Sequence, residues 1–191
     1  MGHSAVSYDV AMAAIIEGAT RVTHLFNAMP PFHHRNPGLV GAAFDSHITG
    51  EIIADNIHVH PMMQRLLYKV KGKNEIVLIT DSMRACLLGE GESELGGQKV
   101  IVKNKEARLE DGTLAGSILT MNEAIKNFMK NTSAPVEEVV AMATVNPAKE
   151  LGVFGRIGSL EKAKQADIVI LDKDFSVVET FIKGKEVYKK Q

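Results

Sequence analysis

Tryptophan is absent from these 191 residues, and aromatic side chains make up only 5% of them. Charge of one sign is lacking too: 22 Lys and Arg face 23 Asp and Glu, for a formal net charge of −1. Without basic blocks or basic patches interleaved with aromatics, nucleic acid is excluded as the main partner. There is one cysteine, Cys86, so no disulfide can close within the chain, and a reducing, cytoplasmic setting is expected. No run approaches the ~20 apolar residues of a membrane span. The opening "MGHSAVSYDV" lacks both the basic start and the apolar core of a signal peptide. Gly2 would suit N-myristoylation, but Val6 stands where that motif needs Ser or Thr. Internal repeats and low-complexity tracts are missing as well. What is present, 45% apolar and 24% charged residues, describes one globular domain with at most a small appendage.

The apolar pattern alternates between element types. "YDVAMAAIIEG" (8–18) predicts a helix with a glycine stop, and "RVTHLF" (21–26) a short strand. "GEIIADN" (50–56) predicts a second strand. "PMMQRLLYKVKG" (61–72) predicts an amphipathic helix between Pro61 and Gly72, and "NEIVLITDS" (74–82) a buried strand ending at Thr80-Asp81. Such alternation is the pattern of parallel α/β architecture, where chemistry collects at the C-terminal ends of strands. His24 and Asp81 fall near strand ends, and His58 lies just past one. Between about 93 and 112 short alternating runs and turn signals at Asn104 and Asp111-Gly112 predict a hairpin-like excursion. Helices are expected over 120–131, with Thr120 and Glu123 as a capping box, and over 133–144 and 146–153. The tail from Ala166 reads as strands and turns, a small β module after an α/β body.

Chemistry-bearing residues concentrate in "THLFNAMPPFHHRNPG" (23–38), a turn-rich stretch with three histidines and an arginine. His3, His24 and Asp81 could form a metal site, since a catalytic metal takes about three protein ligands, and imidazole and carboxylate suit zinc or iron. The plainer alternative is a disordered terminal His3 and a hydrogen-bonded core His24. A carboxylate ending an apolar strand is costly to bury unless paired, coordinated or used; Asp81 could equally be the N-cap of the next segment. Arg35 is either a surface cation or a bidentate anchor for phosphate, and His33 and His34 beside it are by default solvated. If "IHVH" (57–60) is extended, His58 and His60 share one face and could chelate. "DGTLAGS" (111–117) lets a ligand approach the backbone or is merely a turn. Met62, Met63, Met121 and Met129 are expected to be packing residues.

Taken together, "GHS" (2–4), "THLFNAM" (23–29), "HHRNPG" (33–38), "IADNIHVHP" (53–61), "LITDSM" (78–83), "DGTLAGSILTM" (111–121), "NPAKELG" (146–152) and "ADIVIL" (166–171) resemble the C-terminal half of the N-acetylglucosamine-6-phosphate deacetylases of the amidohydrolase superfamily. The resemblance implies an α/β fold: the C-terminal half of a (β/α)8 TIM-like barrel over residues 1–153, and strands of a small β-sandwich module over 154–191. It implies a divalent metal, zinc first and iron second, with His3, His24 and Asp81 at it and Asp81 as catalytic acid and base. It implies substrate contacts from Asn27 and Ala28, largely through backbone groups. Arg35 and His58 would face the phosphate of an amino sugar, across a homodimer interface, and Leu114, Ala115 and Gly116 would line the sugar pocket. Asn56 and Ala163 stand where the family usually has glycine. The family's remaining metal ligand, a glutamate, and a paired-histidine motif lie upstream of anything in these residues, and a complete barrel needs ~250 residues. The alternatives are another amidohydrolase activity, such as cyclic amide hydrolysis or deamination, and a non-enzymatic half-barrel serving assembly or ligand binding.

Overall fold

A computed structural model describes residues 1–191. Its centre is a parallel sheet of β1 (Arg21–Val22), β2 (Thr49–Ile53) and β3 (Ile76–Ile79), in that order. Arg21 lies opposite Thr49, and Gly50 through Ile53 lie opposite Ile76 through Ile79. The ladder continues at both edges. The Met1 nitrogen donates to the Arg21 carbonyl at 2.7 Å and the Thr23 N–H to the Met1 carbonyl at 2.8 Å, the alternating pattern of a parallel pair. At the other edge Ser82 and Ser117 form a parallel bridge, with Ser117 N–H donating to the Asp81 carbonyl at 2.9 Å. Five chain segments therefore run side by side and end at one rim.

Strand periodicity divides the two faces. Val22, Ile52, Ile76 and Leu78 are almost fully buried, in one core with Leu39, Val40, Leu67, Phe128, Val139 and Met142. Those last six come from α2 (Gly38–Phe44), α3 (Pro61–Lys71), α4 (Met121–Thr132) and α5 (Val136–Ala143). α1 (Tyr8–Ile16) packs beside α2, and α6 (Val145–Glu150) follows α5. Arg21, Thr23, Glu51, Val77 and Ile79 instead line an open cleft of about 550 Å³. No helix is long and apolar enough to cross a membrane.

After β3 the chain forms an antiparallel meander, β4 (Gly91–Leu95), β5 (Gln98–Lys103) and β6 (Glu106–Leu109), with its own small core around Val100, Val102 and Ala107. The tail forms a second antiparallel sheet from β7 (Ile168–Leu171), β8 (Val177–Ile182) and β9 (Lys185–Lys189).

Several expectations need correction. The strand expected over 21–26 stops at Val22, because His24, Phe26 and Ala28 take φ values of +31°, +82° and +52° and curl the backbone. The excursion near 93–112 is a three-stranded sheet rather than a hairpin. α2 went unread because "GLVGAAF" is small, glycine-containing and buried along most of its length, so it shows no amphipathic period. The helix expected over 146–153 ends at Glu150. Thr120 makes no side-chain capping bond, so the capping box does not form. Met63, Met121 and Met129 do pack against the core, but Met62 is 48% exposed.

Both non-glycine residues at expected glycine positions are in the left-handed region, Asn56 at φ +69° and Ala163 at φ +71°. Asn56 recovers something: its side-chain oxygen accepts from Gln64 at 3.0 Å and from Asn131 at 2.5 Å. Ala163 has only the steric cost of its Cβ there. Ala163→Gly should therefore raise unfolding stability by roughly 0.5–1 kcal/mol, after the entropy glycine adds to the unfolded chain is subtracted. The shift in denaturation midpoint measures it, and a loss of stability would contradict it.

Candidate functional site

The rim at which the five segments end carries the expected residues. Because Met1 lies in ladder register beside β1, His3 comes level with His24, and their Nε2 atoms stand 2.8 Å apart. The rings meet edge to face, with centroids 4.6 Å apart. Gly2 is required for this approach, since a Cβ there would come within 2.2 Å of Thr23 Cγ2. Thr23 is itself held by its hydroxyl, which donates to Glu51 Oε2 at 2.8 Å. His3 and His24 stand side by side, and His3 is held against His24 rather than loose.

Two imidazole nitrogens on one tetrahedral ion would be about 3.3 Å apart, from a bond length of ~2.05 Å. The observed pair is closer by a few tenths of an ångström, so a small ring rotation would admit an ion. His24 is buried, and its Nδ1 has no hydrogen-bond partner. A ligating histidine normally donates from its second nitrogen, and a buried unpaired polar atom costs about 1–3 kcal/mol. Within this chain, however, no three His, Cys, Asp or Glu side chains converge closely enough to hold a metal.

Asp81 explains the shortfall. It lies at the same rim, just past β3, but β2 stands between its strand and that of His24. Two strand spacings amount to ~9.5 Å. Its side chain is exposed, lines the cleft and makes no hydrogen bond, and no helix follows it, so the N-cap alternative falls. Its backbone is tightly held. The Ser117 N–H bonds the Asp81 carbonyl, the Ser117 hydroxyl bonds the Thr80 carbonyl, and a Cβ on Gly116 would stand 3.3 Å from the Asp81 carbonyl. Gly116 thus lies beside Asp81, while Leu114 sits opposite Arg108 of β6 and Ala115 bonds the Ala107 carbonyl, buried in the small core of the meander. Ser117 was not among the expected residues, and nothing in its local sequence signals a long-range bond.

Three of these residues share a backbone feature: φ is +48° at His3, +31° at His24 and +50° at Asp81. Such conformations concentrate where function requires a particular side-chain aim.

The loop after His24 is pinned rather than slack. The Asn27 amide donates to the carbonyls of His24 and Leu25, at 3.2 and 3.3 Å, which leaves Ala28 exposed at the turn. Phe26 and Phe32 both pack edge-on against Phe44 of α2. Arg35 is exposed and has no carboxylate partner; its guanidinium meets only His34 Nε2, at 2.7 Å.

His58 and His60 do not form a chelating face. The segment bends, and His60 turns away to cap α3, its Nδ1 accepting from Met62 N–H at 3.1 Å. His58 is nearly buried and its Nδ1 meets Asp55 Oδ2 at 2.6 Å. Asp55 is a residue the sequence reading does not single out, although an Asp whose side-chain oxygen accepts from the backbone N–H groups two and three residues on is the signature of an Asx turn. A second cleft, of about 510 Å³, is lined by Asp55, Asn56, Leu119, Glu123 and Asn127 among others.

Comparison with known proteins identifies the family and the fold. The amidohydrolase family profile matches residues 1–187. The N-acetylglucosamine-6-phosphate deacetylase of Bacillus subtilis (strain 168) is 45% identical over 96% of this chain. Among solved structures, the N-acetylglucosamine-6-phosphate deacetylases of Thermotoga maritima and Pasteurella multocida each superpose with a TM-score of 0.93. They are 40% and 37% identical, over 99% and 97% of this chain. The chain spans about half the length of these relatives: 47% of the B. subtilis protein, and 52% and 49% of the two structures.

Gly2→Ala should cost about 1–3 kcal/mol of stability by overpacking, read from denaturant unfolding of the full-length protein. Thr23→Ser, which removes Cγ2 and keeps the hydroxyl, should recover most of that loss. Failure of this rescue would show that the Gly2–Thr23 contact is not the constraint.

Proposed function

This chain belongs to the amidohydrolase family, and on that premise we propose that it supplies half of a metal-dependent site that deacetylates N-acetylglucosamine 6-phosphate, giving glucosamine 6-phosphate and acetate. The observation that carries the proposal is the His3–His24 pair at the rim, with a hydrogen-bond-free Asp81 two strands away. In this reading the parallel sheet is the C-terminal half of a (β/α)8 barrel. Closing it with the remaining strands curves the rim and brings Asp81 to face the histidines. The tail sheet from β7 to β9 forms part of a small β-sandwich module.

His3 and His24 would hold a divalent ion, zinc first and iron second, with a carboxylate from the rest of the protein. When bound, the ion would supply a water of lowered pKa and polarise the acetamide carbonyl. Asp81 takes the proton from the water that attacks the carbonyl carbon. It returns that proton to the sugar nitrogen as the C–N bond breaks. Its exposed carboxylate and braced backbone suit that work, since nothing in the chain competes for its oxygens. Arg35 and His58 select the phosphate, with Arg35 reaching it across a homodimer interface. Asn27 and Ala28 meet the sugar through backbone groups, and Leu114, Ala115 and Gly116 line its pocket. An unpaired Cys86 suits a cytoplasmic enzyme.

A substrate panel on the full-length protein tests the reading: the phosphorylated sugar should be turned over and its unphosphorylated counterpart poorly or not at all. Equal turnover of both would remove the phosphate assignment. Asp81→Asn should lower kcat by ~10²–10⁴-fold with little change in substrate binding, as loss of a proton-transfer group does. Retention of full kcat would assign the proton transfer elsewhere. Arg35→Ala should weaken binding of phosphorylated ligands by roughly 1.5–3 kcal/mol, the value of a charge-assisted contact. An equal loss for the unphosphorylated sugar would make Arg35 structural.

A further inference from the structure

The buried pair at the end of β2 has a geometry that defines the protonation pattern of one imidazole. Asp55 uses its two oxygens for different purposes. Oδ1 accepts the backbone N–H groups of Ile57 and His58, at 2.9 and 2.8 Å, and Oδ2 faces His58 Nδ1 at 2.6 Å. Both side chains are less than one-tenth exposed. The segment they sit on is braced from beneath by fully buried Gln64, whose amide donates to Val59 O and Asn56 Oδ1, each at 3.0 Å. His58 Nε2 makes no hydrogen bond in the chain, and its atom is not sealed from solvent.

We propose that Asp55 is a positioning residue that acts through His58: it takes the Nδ1–H, fixes the ring plane, and commits Nε2 alone to the ligand. This rests on the reading above in which His58 meets the sugar phosphate. An ionised carboxylate only accepts, so the ring can donate from both nitrogens at once, to Asp55 on one side and to a phosphate oxygen on the other. Burial pushes the Asp55 carboxyl up, but the bonds from the His58 side chain and backbone and from Ile57 N–H outweigh that and hold it below its ordinary value. The acceptor is therefore charged at neutral pH.

The two backbone N–H groups make Asp55→Asn an informative change. They require an oxygen at the Oδ1 position, so the amide must turn its NH₂ toward His58. An NH₂ cannot accept from Nδ1–H; the ring must offer Nδ1 as acceptor and carry its proton on Nε2. Double donation is then lost, and the contact to phosphate becomes a neutral one.

The test uses the full-length protein with ¹⁵N-labelled histidine. At a pH where the ring is neutral, long-range ¹⁵N–¹H spectra of the ligand-free enzyme should show His58 protonated on Nδ1. Asp55→Asn should move that proton to Nε2. Steady-state kinetics with the phosphorylated sugar should show KM raised about tenfold by Asp55→Asn, and little further change when it is added to His58→Ala, because residues acting as one unit are not additive. Wild-type protonation on Nε2, or an Asp55→Asn effect that persists undiminished without His58, would overturn the positioning role. If His58→Ala leaves KM unchanged, the phosphate assignment of His58 fails instead, and the spectra still decide what Asp55 does to the ring.

Discussion

The architecture of the rim depends on parallel register: five chain segments, from residues 1–3 through β1, β2 and β3 to Ser117, end level with one another, and three of the chemistry-bearing residues leave the sheet there in left-handed conformations. An extended continuation would send the side chains at the strand ends to alternate faces of the sheet. A positive φ turns each side chain at the rim, at a cost of about 1–2 kcal/mol per residue. Bonds that do not involve the side chains themselves hold the turns. Leu25 N–H donates to the Glu51 carbonyl at 2.7 Å after His24, and Ser117 binds the carbonyls of Thr80 and Asp81. The carboxylate is thereby left free, and the two imidazoles meet only each other, while the backbones beneath them are restrained.

The two faces of the same sheet differ in what covers them. The helix-covered face is closed by Phe128, Leu67, Val139 and their neighbours. The other face presents Arg21, Thr23 and Glu51, joined by the Thr23–Glu51 bond and a looser 3.8 Å Arg21–Glu51 contact, around an open cleft. Parallel sheets are normally covered on both sides. On this face the polar residues satisfy one another, while the Nδ1 of buried His24, just past β1, has no partner.

The long α/β elements were legible because their signals are local. Pro61 and Gly72 bracket α3, with Gly72 at φ +64°, and the apolar run at 76–79 is β3 almost to the residue. The candidate residues were legible as types and as motifs. His3, His24 and Asp81 could be grouped by type and by resemblance, but the contacts themselves could not be read, because those between residues 3 and 24, or 81 and 117, depend on strand order, and strand order leaves no mark in a local window. Asp55 lay in the middle region: its Asx-turn spacing is local, while its burial with His58 comes from the loop being closed over by Gln64 and Asn131.

By itself the sequence determined the strands and helices that carry an apolar period or terminal punctuation, α2 being the exception, and which residue types are available for chemistry. Tertiary structure alone decided that His3 meets His24, that Asp81 stands two strands away with its backbone clamped by Ser117, and that His58 pairs with Asp55 while His60 caps a helix. The physical reason is that hydrogen-bond register between strands is a property of segments far apart in the chain. A side chain's aim at the end of a strand is set by a few backbone dihedrals that only the surrounding packing can hold in place.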